Sequence, residues 1–528
     1  MLKDWNLELE DYQPVPIVYQ MRASLLRKIR DGEDFLPDIQ GREETKRDVA
    51  RALLSGYNIY LVSEEGTGKT RLSKALTKLL PPIFKVKGCP YNDDPKWPKH
   101  LLCSRCRASK NPGEEFGVEV MPGIDRFSRI QGNDYTDESK LLGMKDIQAI
   151  AQGKSPTDME SFSATGVFRA NRGVLFIDEL PAVRTKVQVL LHPISEEKKA
   201  ILEEYNWEHP LDIILVATGN PLGFTHVNEV PRPLLDRLEL IYMPLPSKDV
   251  ELDIVLREKF KADNFSFNMK KEEETSLYSD DIKDLERTVA LPWWIMQLLN
   301  ESIACSRECV SLERRPSVRG SYRAMDHTYA SAELEGKKIA GLREVNFGLR
   351  LALRGRIELK PDLIDFDDPA QSFDRAAELT EDLLTASLGN LADLFLSGCD
   401  NKKLSLELKS LARDGIRNIT SQIKKYNELN KAVENMKAKA MEKIDAGLLN
   451  KTEKILFGKP ESAKEDLLEE YNLSAVEVVY NAALHRGLIN NNDIEKSMFV
   501  PRLASWTLEK INAGAANRKP QVLTTGSG

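Results

Sequence analysis

At 528 residues, 41% hydrophobic and 30% charged, the chain has material for about three or four domains with ordinary globular cores. Its net charge of −7 argues against a broad basic field that gathers nucleic acid, and no apolar run approaches the ~18 residues that suggest a membrane span. Six cysteines in a chain this long do not make a disulfide framework, and the start MLKDWNLELEDYQ lacks the apolar region of a signal peptide, so a cytoplasmic protein is expected.

In chain order, residues 1–35 read as an amphipathic lead-in with a helix near 18–30 and no visible chemistry. LPDIQGREETKRDVARALLSG, from Leu36 to Gly56, predicts a loop, a turn at Gly41 and a charged helix whose apolar face holds Ala50, Leu53 and Leu54. Then comes NIYLVSEEGTGKTRLSKAL. Its run Ile59-Tyr60-Leu61-Val62 predicts a buried parallel strand, followed by a tight loop and a helix from about Lys69. Strand, glycine loop and helix make a phosphate-cradling P-loop. Gly66 and Gly68 let backbone N–H groups curl around an oxyanion, Lys69 is placed to reach the β- and γ-phosphates, and the Thr70 hydroxyl to ligate Mg²⁺. Glu65, Gly66, Thr67, Gly68, Lys69, Thr70 and Arg71 are the candidate nucleotide contacts here. Ser63 stands where the pattern G-x-x-x-x-G-K-[ST] asks for glycine.

The stretch 86–108, VKGCPYNDDPKWPKHLLCSRCRA, predicts an ordered loop rich in Pro, Asp and Cys. Its spacing is Cys89-x13-Cys103-x2-Cys106, with His100 nearby. Three thiolates and an imidazole would close a tetrahedral Zn²⁺ site, the Cys-x-x-Cys is alternatively a redox pair, and reduced buried cysteines are the third reading.

From Phe127 to Gly143 a strand is expected to give way to a polar helix or insertion. FRANRGVLFIDEL follows, with Val174-Leu175-Phe176-Ile177 as a buried strand ending in Asp178-Glu179. Acids at the carboxyl end of a parallel strand sit where ligands bind in open α/β sheets. Asp178 is expected to hold Mg²⁺ and to belong to the nucleotide contacts, and Glu179 to polarise the attacking water. The stretch 198–213 reads as a hairpin. A further buried strand, IILVATGN, ends in Asn220, whose side chain can meet the γ-phosphate. In VPRPLLDRLELIYMPLP, Arg237 is either an arginine finger for a neighbouring subunit, with Arg232 in reserve, or a salt-bridge partner of Asp236.

Residues 247–310 turn charged and helical, with Cys305-x3-Cys309 read as core on a helix. Two helices are clear in 316–358, and Arg319 precedes the first, placed to contact phosphates from a lid. Residues 370–528 show heptad-like apolar spacing at 376–396, 404–441 and 462–488, with no chemical motif, which predicts an α-helical bundle used for contacts.

The combination EGTGKT, KGCPYNDDP with the later Cys-x-x-Cys, FRANRGVLFIDEL, VATGNP, LLDRLEL and SVRGSYRAMDHTYASAELEGKKI resembles the AAA+ ATPases of the magnesium-chelatase ATPase-subunit and MoxR-like clade. The resemblance covers about residues 36 to 359. It implies an α/β P-loop core over 36–246 that includes the Cys-rich loop 86–108 and an α-helical lid over 247–360, whereas the helical C-terminal extension over 361–528 lies beyond the resemblance and is read as a candidate partner-docking region. The resemblance assigns Lys69 and Thr70 to Walker A, Asp178 and Glu179 to Walker B, Asn220 to sensor 1, Arg237 to the finger and Arg319 to sensor 2. It implies ATP and Mg²⁺ as cofactors and a homo-oligomeric ring, usually a hexamer. The main expectation is a chaperone-like motor that remodels a protein partner bearing a von Willebrand factor A domain. The alternatives are the motor subunit of a magnesium chelatase acting on a tetrapyrrole, or a DNA-linked motor.

Overall fold

A computed structural model of the chain describes residues 9–64, 66–220, 230–258, 289–361, 369–443, 449–458 and 463–501. Glu65, most of the charged run that follows residue 268, and the tail QVLTTGSG lie outside the described residues. The described part divides into two compact units, residues 1–246 and 247–528.

The first unit is built on five strands: β1 (Asn58–Val62), β2 (Phe127–Gln131), β3 (Val174–Asp178), β4 (Ile214–Gly219) and β5 (Leu238–Tyr242). They lie in the order β5-β1-β4-β3-β2, and every pairing is parallel. A parallel sheet needs cover on both faces, because its crossover connections place chain there. The sequence supplies two alternating apolar sets. Ile59, Leu61, Val174, Phe176, Ile214 and Val216 point to one side, into a core shared with Ile17, Met21 and Leu25 of α1 (Ile17–Arg30), Val49 and Leu53 of α2 (Glu43–Ser55), and Leu72 of α3 (Lys69–Ala75). Tyr60, Leu175, Ile177, Leu215 and Ala217 point to the other, into a core with Val167, Phe168 and the three cysteines of the 86–108 loop. The lead-in helix thus belongs to this unit. Its first N–H groups need an outside acceptor, and Ile17 N donates to both carboxylate oxygens of Asp212 at 2.9 and 3.1 Å.

Lys199–Leu202 pairs antiparallel with Trp207–Pro210, the hairpin expected at 198–213. After β2 the chain forms a short helix Glu138–Leu141 and a second hairpin, Gly143–Lys145 with Phe162–Ala164.

The second unit is helical. Helices Trp293–Glu308, Val318–Leu334 and Leu342–Leu353 share one apolar core with Pro369–Asn390, Asn401–Asp414, Asn427–Lys443 and Glu465–His485. The segments expected as a lid and as an extension therefore draw on the same buried residues, among them Trp294, Tyr329, Tyr471 and Tyr480. Trp294 Nε1 donates to Ser474 Oγ at 3.1 Å, and Leu291 N to Glu453 Oε1 at 3.2 Å. Cys305 and Cys309 are buried in this core as expected, although the helix ends at Glu308 and Cys309 follows it in extended backbone. Among the described residues no helix is long and apolar enough to cross a membrane.

Candidate functional site

Parallel strands bring their carboxyl ends to one edge, so β1, β3 and β4 deliver the P-loop, Asp178-Glu179 and Asn220 side by side. The register pairs Val62 with Gly219 and Ala217 with Ile177. The loop turns through Gly66 at φ 71° and Gly68 at φ 95°, conformations costly to side-chain-bearing residues. Ser63 does not adopt a positive φ, so the missing glycine removes no required freedom. The Ser63 side chain is buried and its hydroxyl bonds Thr67 Oγ1 inside the loop.

Lys69, at the start of α3, folds its ammonium over the loop. Its Nζ donates to Ser63 O at 2.6 Å, Gly219 O at 3.2 Å and Asn220 Oδ1 at 2.9 Å. On the acidic side, Thr70 Oγ1 stands 3.5 Å from Asp178 Oδ2. A hydroxyl and a carboxylate oxygen this close suit a small hard cation.

Glu179 follows at φ 60°, the left-handed region that a glutamate occupies only under constraint. The constraint is Thr218. Its Oγ1 accepts from Glu179 N at 2.9 Å and donates to Asp178 Oδ1 at 2.9 Å. The Glu179 side chain is exposed.

Residues 124–238 match the family model described as the AAA domain, dynein-related subfamily. The chain is 27% identical over 339 residues to a magnesium-chelatase 38 kDa subunit of Cereibacter sphaeroides, covering 61% of this chain and 92% of that protein. It is 26% identical over 329 residues to the chloroplastic magnesium-chelatase subunit ChlI-2 of Arabidopsis thaliana, covering 61% of this chain and 72% of that one. The chain contains an AAA domain and is homologous to magnesium-chelatase ATPase subunits. Among solved structures, a complex of the BchI and BchD subunits of magnesium chelatase aligns at 21% identity and a TM-score of 0.33, covering 61% of this chain and 95% of that one.

The AAA+ core holds three residues that sequence reading passed over. Thr218 was visible only as the residue two before Asn220. Arg129, on β2, places Nη2 2.6 Å from Asp178 Oδ2. Gly132 donates its N–H to Asp178 O at 2.6 Å, and a Cβ there would meet Glu179 O at 2.1 Å, so only glycine lets β2 leave the sheet against the acidic pair. Thr218 lies inside VATGNP, but that motif does not reveal its bonding role, and Arg129 and Gly132 stand in no quoted motif, because each acts through a strand neighbour far away in sequence.

Arg237 is half-buried and its Nε donates to Glu196 Oε2 at 2.6 Å, so its partner is Glu196 and not Asp236. His192 lies beside this pair, and burial first, then the Arg237 charge, hold its pKa below the ordinary value. Arg232 is exposed on a short turn of helix. Arg319 is exposed in the first turn of Val318–Leu334 in the second unit, where Ser317 caps the helix.

The cysteine loop corrects one expectation. Cys89, Cys103 and Cys106 do converge, and the fourth group among them is Asp93. His100 is exposed, and its carbonyl takes a bond from Arg107 Nη2 at 3.0 Å. The prolines around His100 hold that segment out on the surface, whereas a tight turn through Asn92 at φ 53° tucks Asp93 inward. Burial pushes the Asp93 carboxyl up to about 7, with the Cys89 charge adding to it.

Proposed function

We propose that this chain is the ATP-hydrolysing motor subunit of a magnesium-chelatase-type assembly, working as a homo-oligomeric ring with a separate protein subunit that carries the tetrapyrrole. The observation that carries this is the Thr218-braced acidic pair opposite Lys69, in a chain whose named relatives are chelatase ATPase subunits. The remodelling of a partner with a von Willebrand A domain is the second reading. Its support is the share of the chain, about two fifths, that lies beyond the stretch matched to those relatives.

In this reading, ATP lies on the P-loop, and Lys69 leaves Ser63 O and Asn220 Oδ1 for the β- and γ-phosphates. Thr70 and Asp178 are the residues that would hold Mg²⁺, which when bound neutralises charge on those phosphates. Glu179 polarises the attacking water, and its backbone, fixed by Thr218, aims the carboxylate. Asn220, released by Lys69, meets the γ-phosphate. Arg237 exchanges Glu196 for the γ-phosphate of the neighbouring subunit and stabilises charge developing there. Arg319 acts as sensor 2.

The test is subunit mixing. Glu179→Gln and Arg237→Ala are each expected to lose turnover by about 10²-fold or more. Mixed together, they should regain activity, because an intact site in one subunit then meets an intact finger from the other. A mixture as dead as its components, with wild-type activity independent of protein concentration, overturns the ring mechanism. The Glu179→Gln ring, held in ATP, then serves as bait. Recovery of a porphyrin-binding subunit supports the chelatase reading, and recovery of a von Willebrand A partner supports the other.

A further inference from the structure

The 86–108 loop assembles a chemical group that nucleotide hydrolysis does not use. Sγ of Cys89, Cys103 and Cys106 and a carboxylate oxygen of Asp93 all lie within 4.8 Å of one another. All four residues are at most 1% exposed. Cys89 Sγ and Cys103 Sγ are 3.8 Å apart. That is far beyond a disulfide bond, and it matches the ~3.8 Å edge of a tetrahedron whose centre is ~2.3 Å from each sulfur, the zinc–thiolate length. An iron–sulfur cluster, with several metal atoms between its thiolates, spreads them wider.

The Asp93 oxygens are divided between two jobs. Oδ2 accepts from Cys103 N at 2.8 Å. Oδ1 is enclosed and has no hydrogen-bond partner among the described residues. A buried carboxylate oxygen left bare is costly unless a cation meets it. The surrounding backbone is already fixed. Asp93 O accepts from Val86 N at 2.9 Å, Asn92 Nδ2 donates to Arg169 O at 2.9 Å, and Cys106 N points at Cys103 Sγ from 3.5 Å. An N–H aimed at a ligating sulfur is the outer-shell support that metal thiolates use.

We propose that Cys89, Asp93, Cys103 and Cys106 bind one Zn²⁺ as a closed structural site. Three thiolates select a borderline-soft cation, and four protein ligands leave no position for a substrate. The site clips the end of strand Ile83–Val86 to the short helix Ser104–Ala108. The three cysteines share their apolar core with Leu175 and Ile177 of β3, the strand that carries Asp178, so the clip buttresses the ATPase sheet.

The experiment is elemental analysis of the full chain, purified without a metal-affinity tag, followed by titration with a mercurial and a zinc dye. The expected result is one zinc per chain, released as three thiols react. Asp93→Cys should keep the metal, since it offers a better ligand at the same place. Asp93→Ala should weaken zinc at least about tenfold in chelator competition. His100→Ala and Cys305→Ser should change nothing. A folded wild-type chain that arrives without zinc and takes up none from a buffered zinc solution overturns the proposal. So does stoichiometric iron, or a Cys89–Cys103 disulfide in protein isolated without oxidant. The wild-type measurement decides even where a variant fails to fold.

Discussion

Lys69 Nζ is held 2.9 Å from Asn220 Oδ1, which ties the P-loop to the end of β4 across the site. In the proposed mechanism both groups face the γ-phosphate, so the two side chains are expected to separate when nucleotide binds. Asn220→Ala is expected to leave ADP affinity within about threefold while lowering kcat by about 10²-fold, because its contact with the γ-phosphate is made in the transition state. Lys69→Met is expected to remove nucleotide binding itself. Fluorescent-nucleotide titration and steady-state phosphate release separate the two. An Asn220→Ala enzyme with wild-type kcat would remove Asn220 from the chemistry.

Thr218 is buried and serves both acids of the pair, accepting from Glu179 N and donating to Asp178 Oδ1. Thr218→Val keeps the volume and strips both bonds. It should cost about 1–3 kcal/mol in stability and lower kcat by more than its effect on nucleotide affinity, as Glu179 loses its fixed backbone. Thr218→Ser restores the hydroxyl and should recover most of the rate. Equal rates for Val and Ser would show that the brace is structural only.

Arg172 and Asp94 form a fully buried ion pair, and the pair is closed by Tyr12, whose hydroxyl donates to Asp94 Oδ2 at 2.6 Å. Arg172 Nη1 also donates to Phe84 O at 2.6 Å. Asp94→Ala strands the guanidinium and should destabilise the ATPase unit by about 3–5 kcal/mol. Breaking the exposed Arg51–Asp48 pair should cost under about 1 kcal/mol. Denaturant titrations of the two variants give the comparison, and similar midpoints would contradict it.

His485, at the end of Glu465–His485, is buried enough that desolvation lowers its pKa from the ordinary 6.5. The folded chain therefore binds a proton less readily than the unfolded chain. Its contribution to stability is complete above pH 6.5 and falls as pH drops through 6.5 towards the folded value, by up to about 1.4 kcal/mol per pH unit. His485→Leu should flatten that part of the stability–pH curve of the helical unit and leave the curve above pH 7 nearly unchanged. A slope unchanged by the substitution would place the titration elsewhere.

The sequence by itself determined the candidate site residues and their order along the chain. GTGKT after an apolar run, FIDE after another and VATGN after a third name Lys69, Thr70, Asp178, Glu179 and Asn220, because a strand's two-residue alternation and the residue types needed by phosphate and cation are local properties. The tertiary structure decided what depends on contact between distant segments. It placed Thr218 under Glu179 and Arg129 on Asp178, since adjacent parallel strands are joined by long crossovers whose registers no local pattern records. It gave Arg237 to Glu196 instead of its neighbour Asp236. It exchanged His100 for Asp93 in the cysteine cluster, because spacing counts residues whereas a turn at Asn92 decides which of them face inward. It also merged the helices on either side of residue 360 into one core, since periodicity marks an apolar face without naming the face that covers it.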